Sequence, residues 1–247
     1  IETQFNDIFS DNGNCDQIRG VLERTWTVTD ESGNSTSCQQ IITMKRLAIV
    51  VPVYNEGEQL LPWLQQVTSY LHEGDRLVIV DASDARYTVE TKSLKDFIAN
   101  HKVLHYLAAE KGRAVQMNAG AEYCLTLDDY TPELFWFLHS DSGLSKQHLE
   151  YLRRFDVLPA WGRFDVQLSP RSFPSIIIST FINLRSRLTQ VMTGDQGIFI
   201  RADIFQQLGG YANIPLMEDL AFSRRLKSFG RPVLLPGPTF VSARRWE

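Results

Sequence analysis

The chain has few cysteines and none of the paired spacings that bind metals. Among its 247 residues there are three cysteines, and no two of them form a Cys-x-x-Cys pair. This excludes the usual kind of structural zinc site. Cys15 and Cys38 lie near the amino end and could pair in an oxidising compartment, whereas Cys124 is expected to be a small buried residue.

Long apolar runs and an excess of positive charge are also missing. The longest candidate run, residues 176–182, is far shorter than the about 18 residues that a spanning helix needs, and no secretory signal is visible. The formal net charge is −4, so no overall basic field attracts nucleic acid. Residues 1–43 carry −5 and the remainder +1. A near-neutral body with local arginine clusters suits a small anionic ligand.

Residues 1–43 differ in pattern from the rest. Residues 25–29 and 39–43 alternate like strands around the turn-forming residues 30–34, which predicts a β-hairpin. From residue 45 onward, apolar strand patterns alternate with helical ones. This order predicts an α/β domain with a doubly wound, mostly parallel sheet. We expect a hairpin leader at 1–43, fused or mispredicted, and one domain at 44–247.

Acidic side chains follow three of the predicted strands. Glu56 comes after the first strand of the α/β pattern, Asp81 ends the second, and Asp141 follows the fourth. The carboxyl ends of parallel strands form the edge where open α/β sheets bind ligands. Converging acids imply a cation or a base-and-ribose ligand there, and oxygen ligands suit a hard divalent cation that bridges a diphosphate. For Asp141 the competing interpretation is a helix cap.

Two glycine-containing segments are candidate sites, one for binding an anion and one for the close approach of a ligand or a backbone. Lys111 and Arg113 flank a glycine before a predicted helix, where an anion would meet two cations and a helix N-terminus. A solvated turn is the alternative. Residues 194–197 read Gly-Asp-Gln-Gly, and their glycines would let a ligand or a backbone come close. The alternative is an ordinary β-turn.

Further candidates lie in the last part of the chain. Glu218 and Asp219 stand near the start of a predicted helix, where one carboxylate could act as a general base. The alternative is that both stabilise the helix dipole. Residues 244–246 read Arg-Arg-Trp, which can bind phosphate and stack on a sugar or a base, or form an exposed tail.

Taken together, these motifs resemble family 2 glycosyltransferases with the GT-A fold, and in particular one bacterial subfamily. The resemblance covers about residues 45–247. Residues 1–43 instead resemble the end of a hyalin-repeat-like or immunoglobulin-like surface module. The motifs that carry the glycosyltransferase resemblance are VVPVYNE (50–56), KGRAVQMNAGA (111–121), FLHSDS (137–142), INLRSRLT (182–189), GDQGIFIR (194–201), LGGY (208–211), IPLMEDLAFSRRLK (214–227) and SARRWE (242–247).

The resemblance implies a role for each matching residue. Asp219 would be the catalytic base, with Glu218 beside it. Asp141 would bind a divalent cation, Mg²⁺ or Mn²⁺, although His139 stands where the family usually has a first acid. The implied nucleotide-sugar-binding residues are Pro52, Tyr54, Glu56, Asp81, Arg113, Ser140, Asp141, Gln196, Arg244, Arg245 and Trp246.

The implied reaction is an inverting transfer of a sugar from a nucleotide-diphosphate donor to a glycan, lipid or small-molecule acceptor. No nucleic acid partner is implied. We expect a cytoplasmic location, with the inner face of the membrane as an alternative, and a truncated C-terminus. Residues 173–190 read as an amphipathic helix that packs on the core or lies on a membrane surface. A sugar-nucleotide-forming nucleotidyltransferase and a non-catalytic nucleotide-sugar-binding protein are the alternative functions.

Overall fold

The computed structural model describes residues 2–10, 21–43, 45–56, 60–84, 92–140 and 142–242. The strands in these ranges are β1 (Glu2–Ser10), β2 (Val21–Thr29), β3 (Ser35–Thr43), β4 (Leu47–Val53), β5 (Arg76–Asp81), β6 (Leu104–Ala108), β7 (Leu134–Phe137), β8 (Trp161–Ser169), β9 (Phe199–Arg201) and β10 (Val233–Ser242). The helices are α1 (Leu60–Thr68), α2 (Lys92–Ala99), α3 (Arg113–Thr126), α4 (Lys146–Arg153), α5 (Phe173–Thr189), α6 (Ala202–Leu208) and α7 (Glu218–Leu226).

Seven strands form the central sheet, in the order β10-β8-β9-β7-β4-β5-β6. β4 pairs in parallel with β5 and β7, β5 pairs in parallel with β6, and β8 in parallel with β10. β9 runs antiparallel to both of its neighbours, β7 and β8. The predicted fold class, a mostly parallel doubly wound sheet, is therefore confirmed.

β4 lies in the interior of the sheet, between β7 and β5, and both of its faces are covered. All seven of its side chains are buried. Leu47, Ile49 and Val51 enter one hydrophobic core, whereas Ala48 and Val50 enter the core on the opposite face. Successive strand residues point to opposite faces, so a strand covered on both sides needs an unbroken apolar run. This is why β4 was recognisable from its sequence.

Helix α3 packs very closely on β4 and β5. A Cβ atom at Gly120 would lie 2.5 Å from a Val50 methyl and 2.8 Å from a Val80 methyl, so a glycine is needed at this contact. One turn earlier, the buried Gln116 donates from Nε2 to the carbonyls of Val53 and Val80, both at 2.8 Å. One side chain thereby joins the carboxyl ends of two neighbouring strands.

Residues 2–10 and 21–43 form a larger unit than the predicted hairpin. β2 and β3 are antiparallel partners around the turn, as predicted, but β1 pairs with β2 to complete a three-stranded sheet. The expectation of a simple hairpin is therefore corrected. The sequence did not predict a strand at residues 2–10, because their apolar residues do not alternate with period two. The division into a leader and a domain at 44–247 stays a prediction.

Helix α4 was missed from the sequence because most of its residues are polar. His148 Nδ1 accepts from the Ser145 backbone N–H at 3.0 Å, and its Nε2 lies 3.1 Å from the Gly237 carbonyl. The neutral imidazole with its proton on Nε2 satisfies both contacts. Burial lowers the pKa of His148 below its usual value. The ring is therefore held in the neutral form.

Two other strands have bounds that differ from the predicted ones. β9 starts at Phe199 rather than at residue 196, because Gly194–Gln196 forms a short 3₁₀ turn. The two short strands predicted near residues 233–243 are one strand, β10, with an irregularity between Leu235 and Thr239. Within the part of the chain that the structure describes, none of the helices has the length and apolar character needed to span a bilayer.

Candidate functional site

A cavity of about 350 Å³ lies at the carboxyl ends of β4 and β7. It lies beside the start of α3, at the sheet edge where the sequence predicted a ligand. Its predicted lining residues are Pro52, Tyr54, Glu56, Arg113 and Ser140. Lys111 and Gly112, from the predicted anion-binding segment, line it as well, and the structure adds Val53, Gln116, His139 and Pro215.

The loops after β4 and β5 are tied together by polar contacts. The Asn55 backbone N–H donates to Ser83 Oγ at 2.7 Å, and the Asp84 backbone N–H donates to Asn55 Oδ1 at 3.1 Å. Asn55 has φ 58°, a left-handed conformation that asparagine tolerates better than most residues. The Tyr54 hydroxyl donates to Asp84 Oδ2 at 3.3 Å. These contacts hold Tyr54 in the cavity wall.

Lys111 adds positive charge to the same wall. Its ammonium group lies 3.9 Å from the centroid of the Tyr54 ring, a cation–π distance. An aromatic face beside a cation suits a ligand with a flat base and an anionic group.

Asp81 lies at the end of β5 and is almost fully buried. Its Oδ1 accepts from the Ser83 backbone N–H at 2.8 Å, and its Oδ2 accepts from the Tyr106 hydroxyl at 2.7 Å. Each carboxylate oxygen keeps a second lone pair. Asp81 does not line the cavity described above, and its predicted contact with a base stays a prediction.

Glu56 and Ser140 connect the loops after β4 and β7. The Ser140 hydroxyl donates to Glu56 Oε1 at 2.7 Å. Asp141, the predicted metal ligand, lies outside the described residues. Among the residues that are described, no group of three or more His, Cys, Asp or Glu side chains could hold a metal ion. The Glu56 carboxylate and the Ser140 hydroxyl are oxygen donors, the type that Mg²⁺ and Mn²⁺ take, so they fit such an ion.

Glu218 and Asp219 begin α7, and the structure gives them different partners. Glu218 is buried, with Oε1 3.5 Å from Arg113 Nη1. Asp219 Oδ2 accepts from the Gly194 backbone N–H at 2.5 Å, and its Oδ1 accepts from the Leu220 N–H at 2.7 Å. Glu218 is therefore engaged by a cation, whereas Asp219 is held by backbone donors.

A small recess lined by these acids lies next to the main cavity. Its lining includes Arg113, His139, Gly194, Glu218 and Asp219, and the main cavity shares the first two of these. A Cβ atom at Gly194 would lie 2.5 Å from His139 Nε2 and 3.5 Å from Asp219 Oδ2. The imidazole that replaces the expected first acid therefore lies near the candidate base.

Tyr211 forms the back of this recess. Its ring stacks on Phe222 with centroids 3.9 Å apart and meets the edge of Phe137 at 5.0 Å. Burial, together with the carboxylates of Asp219 and Glu218, raises the pKa of Tyr211 well above its usual value. Its phenol therefore stays neutral beside the two acids.

Gln196 does not line the cavity. It is fully buried, and its Nε2 donates to Ser186 Oγ at 2.9 Å while its Oε1 accepts from the Thr193 N–H at 3.2 Å. These contacts join the 3₁₀ turn to α5. The structure thus places Gln196 in a structural contact, and its predicted role in binding a donor stays a prediction. Arg244, Arg245 and Trp246 lie outside the described residues.

Gln116 and Tyr211 are two residues at the site to which the sequence analysis assigned no role. Gln116 sits among the buried residues of α3, next to Met117 and close to Ala114. A polar residue on the apolar face of an amphipathic helix is the signal that could have revealed it. Tyr211 follows two glycines and carried no such signal.

Part of the chain matches a known family. Residues 48–156 match the model described as "Glycosyl transferase family 2". This region includes every lining residue of the main cavity except Pro215, whereas Asp219 lies beyond it. This match over residues 48–156 agrees with the family and the enzyme class that the sequence predicts. No curated protein matches the sequence.

Several solved structures share the fold. TarS 1–349 of S. aureus has a TM-score of 0.59 at 16% identity, with 81% of this chain and 61% of that chain covered. The same protein with UDP-GlcNAc gives 0.58 at 16%, covering 81% and 58%. The mannosyltransferase PcManGT from Pyrobaculum calidifontis, in complex with GDP-Man and Mn²⁺, gives 0.58 at 17%, covering 81% and 56%.

These structural matches have a limited scope. The chain spans less than two thirds of the length of each of the three structures. At such low identities the likeness establishes the fold alone. None of the matches supports the resemblance of residues 1–43 to a surface module, which stays a prediction.

Proposed function

We propose that the chain is an inverting glycosyltransferase that moves a sugar from a nucleotide-diphosphate donor to an acceptor hydroxyl. One observation carries the proposal. Arg113 and His139 line both the cavity at the carboxyl ends of β4 and β7 and the small recess that Asp219 lines. A donor in the cavity would thus have a general base within reach of its reacting end.

The donor pocket would use the cavity wall built by the loops after β4 and before α3. The Tyr54 ring and the Lys111 ammonium offer a flat surface and a positive charge. Arg113 lies at the start of α3, where its guanidinium and the helix N-terminus favour an anion. Nucleotide sugars as donors are also supported by the fold neighbours, which include structures with GDP-Man and with UDP-GlcNAc.

Asp219 would serve as the general base. As the acceptor oxygen bonds to the anomeric carbon, the bond from that carbon to the diphosphate breaks and the acceptor proton moves to a carboxylate oxygen of Asp219. The two backbone N–H donors fix the direction of the carboxylate and leave each oxygen a lone pair. Glu218 is less suited to this role because it is buried against Arg113.

Asp141 would hold the divalent cation, with Glu56 and Ser140 as neighbouring oxygen donors. A bound Mg²⁺ or Mn²⁺ would supply positive charge near the diphosphate. Mn²⁺ in the structure of the mannosyltransferase supports this choice. Arg113 would add a second cation from the chain itself. We further propose that Arg244, Arg245 and Trp246 contact the donor or acceptor, as the resemblance implies.

The remaining parts of the proposal concern the setting of the enzyme. The catalytic domain would be residues 44–247, with residues 1–43 as a separate leader. The resemblance implies a cytoplasmic enzyme that acts on a glycan, lipid or small-molecule acceptor.

A panel of nucleotide sugars tests the proposal. Each donor is incubated with Mg²⁺ or Mn²⁺ while nucleoside-diphosphate release and the thermal shift are measured. Asp219→Asn should lower the release rate by about 10²–10⁴-fold, the usual contribution of a positioned base, and should keep the thermal shift caused by the donor. The exposed Asp128 offers a matched control, since Asp128→Asn should leave both measurements unchanged.

Two results would contradict the proposal. Wild-type rates in Asp219→Asn would remove the assigned base. A wild-type protein that neither releases diphosphate nor shows a thermal shift with any donor and metal would reject the function as a whole.

A further inference from the structure

Tyr211 carries a hydroxyl group into the interior of the protein. The residue is 3% exposed, and the hydrogen bonds that it makes within the described residues come from its backbone, to Asn118. A buried hydroxyl without a partner costs free energy. Phenylalanine would fill the same space without this cost, so packing alone does not account for the hydroxyl of Tyr211.

The position of this hydroxyl is fixed by the surroundings of Tyr211. The ring stacks on Phe222 with an interplanar angle of 25° and meets Phe137 edge-on at 86°. Asn118 holds the backbone of Tyr211, with Oδ1 accepting from its N–H at 2.8 Å and Nδ2 donating to its carbonyl at 2.9 Å. Gly210 has φ 71°, and a Cβ atom there would lie 2.5 Å from Asn118 Oδ1. The glycine thus permits the contact that sets the position of Tyr211.

The hydroxyl lies near the two acids that begin α7. Tyr211 lines the recess together with Glu218 and Asp219. After burial, the charges of Asp219 and Glu218 are the causes that raise the pKa of Tyr211, so its phenol oxygen lies within electrostatic reach of both carboxylates. Within the described residues, the phenol makes no direct hydrogen bond to either acid. Polar groups that face one another beyond hydrogen-bond distance are commonly bridged by water.

The recess has room for one water molecule. It leaves about 10 Å³ for the centre of a water-sized sphere, and about 10–15 Å³ on this measure holds a single water. A buried water also needs about two to four polar partners, which the lining supplies through Tyr211, Glu218 and Asp219. A substrate hydroxyl would bring a ring carbon with it, for which this volume is too small.

We propose that the recess binds one water molecule that bridges the Tyr211 hydroxyl and the carboxylates of Glu218 and Asp219. The phenol O–H donates a hydrogen bond to the water oxygen, and the water donates one hydrogen bond to each carboxylate. Each Asp219 oxygen already accepts from one backbone N–H and keeps a lone pair for such a bond. The hydroxyl of Tyr211 is then satisfied without a direct contact to either acid.

For the reaction, the bridge makes Tyr211 a positioning residue, and this part of the proposal rests on the proposed function. Asp219 is half-buried, so it can face the recess on one side and an acceptor on the other. One of its oxygens would accept from the water, while the other takes the acceptor proton. A third donor further restricts the carboxylate, and a well-oriented base transfers a proton faster. The water site itself does not depend on the activity.

A high-resolution crystal structure of the full chain without a donor tests the water site directly. An ordered water should lie about 2.5–3.2 Å from Tyr211 Oη and at a similar distance from a carboxylate oxygen of Glu218 or Asp219. In crystals of the Tyr211→Phe variant, the density for this water should be weaker, because one of its partners is removed.

Melting temperatures of two tyrosine variants test the same site in solution. Tyr211→Phe should melt about 1–6 °C below the wild type, because one net hydrogen bond is lost. Tyr130 is the matched control: it is also 3% exposed, its hydroxyl is buried without a partner among the described residues, and it lines neither cavity of the candidate site. Tyr130→Phe should melt at the wild-type temperature or above it, because no hydrogen bond is lost.

Turnover separates a positioning role from a purely structural one. Tyr211→Phe should lower kcat about 2–12-fold, the equivalent of one net hydrogen bond. The KM for the donor should stay at its wild-type value, because Tyr211 does not line the donor cavity. Tyr130→Phe should keep both constants. A loss of packing alone would lower stability without this split between kcat and KM.

Three results would overturn the proposal. A wild-type crystal structure without an ordered water in the recess would reject the bridge, and so would a Tyr211→Phe variant that melts like Tyr130→Phe. Wild-type kcat in Tyr211→Phe would reject the positioning role. A wild-type chain that is inactive with every donor would reject the proposed function instead, while the crystal structure and the melting temperatures would still decide the water site.

Discussion

Replacing Gln116 by methionine should loosen the edge of the sheet that carries the candidate site. Gln116 lies in α3 and is 4% exposed. Its amide donates to the last carbonyl of β4, from Val53, and to the carbonyl of Val80 in β5. The loops that begin immediately after these carbonyls contain Tyr54 and Asp84. Methionine keeps the length of the side chain and its helix propensity but removes both donors.

The expected cost follows from these two bonds. A buried hydrogen bond contributes about 0.5–1.5 kcal/mol net, so the pair contributes about 1–3 kcal/mol to the free energy of unfolding. A buried carbonyl that loses every donor costs more than this net value. That larger cost does not apply in full here, because the Val53 carbonyl also accepts from the Ala82 N–H at 3.0 Å. For a chain of this size the melting temperature should fall by roughly 2–12 °C.

Urea unfolding of Gln116→Met measures this cost directly. Glu122 lies on the exposed side of the same helix, and Glu122→Met should change the free energy of unfolding by no more than about 0.5 kcal/mol. If Gln116→Met were as stable as this control, the two bonds would not hold the strands together. The thermal shift caused by a bound donor should also shrink in Gln116→Met, because the Tyr54 loop loses its anchor.

The remaining predictions concern a histidine and two glycines. Lowering the pH from about 7 to 5 should destabilise the protein: burial depresses the pKa of His148 below 6.5, so its contribution is complete above that value and is lost as the pH falls. In His148→Gln, urea unfolding should show a flatter pH dependence. Gly194→Ala should reduce turnover at least about tenfold, because its Cβ would lie 2.5 Å from His139 Nε2, beside the base. Gly120→Ala should cost about 1–3 kcal/mol in urea unfolding, because its Cβ would lie 2.5 and 2.8 Å from two valines.

Controls separate these effects from general damage. Gly74→Ala places its Cβ at an ordinary 3.8 Å from Arg46 and should leave both stability and turnover unchanged. An undiminished turnover in Gly194→Ala would show that His139 and Asp219 tolerate displacement. A wild-type stability in Gly120→Ala would contradict the close packing of α3. A pH slope that persists in His148→Gln would assign the effect to other buried groups.

The central sheet was predictable because its signals are local. β4 is an unbroken apolar run, and the structure gives it the bounds that the sequence indicated, Leu47–Val53. Strands covered on both faces read as apolar runs, and their alternation with helices dictates parallel pairing. β1 escaped prediction because its apolar residues do not alternate, and α4 because most of its residues are polar. Their structure depends on neighbours that the local pattern does not reveal.

The candidate site was predictable in part for the same reason. Parallel strands deliver the residues that follow them to one edge, so Tyr54, Glu56 and Ser140 were expected near one another, and the structure brings them to one cavity. Gln196 belonged to the same predicted set but packs against α5 instead. Its neighbouring glycines indicated a turn without indicating which way the amide would point.

The sequence alone therefore determined the sheet, the edge that holds the site and the kind of chemistry its residues can perform, because strand patterns and catalytic residue types are local properties. Only the tertiary structure decided which acid pairs with Arg113, that Gln116 joins two strand ends, and that α5 buries three serines while Phe173, Phe181 and Leu188 stay exposed. The reason is that a helix pattern identifies an apolar face but not what that face meets. For α5, hydrogen bonds to β8 and the packing of Ile178 and Ile182 on β8 and β10 decide which side turns inward, and β10 in particular is distant in sequence.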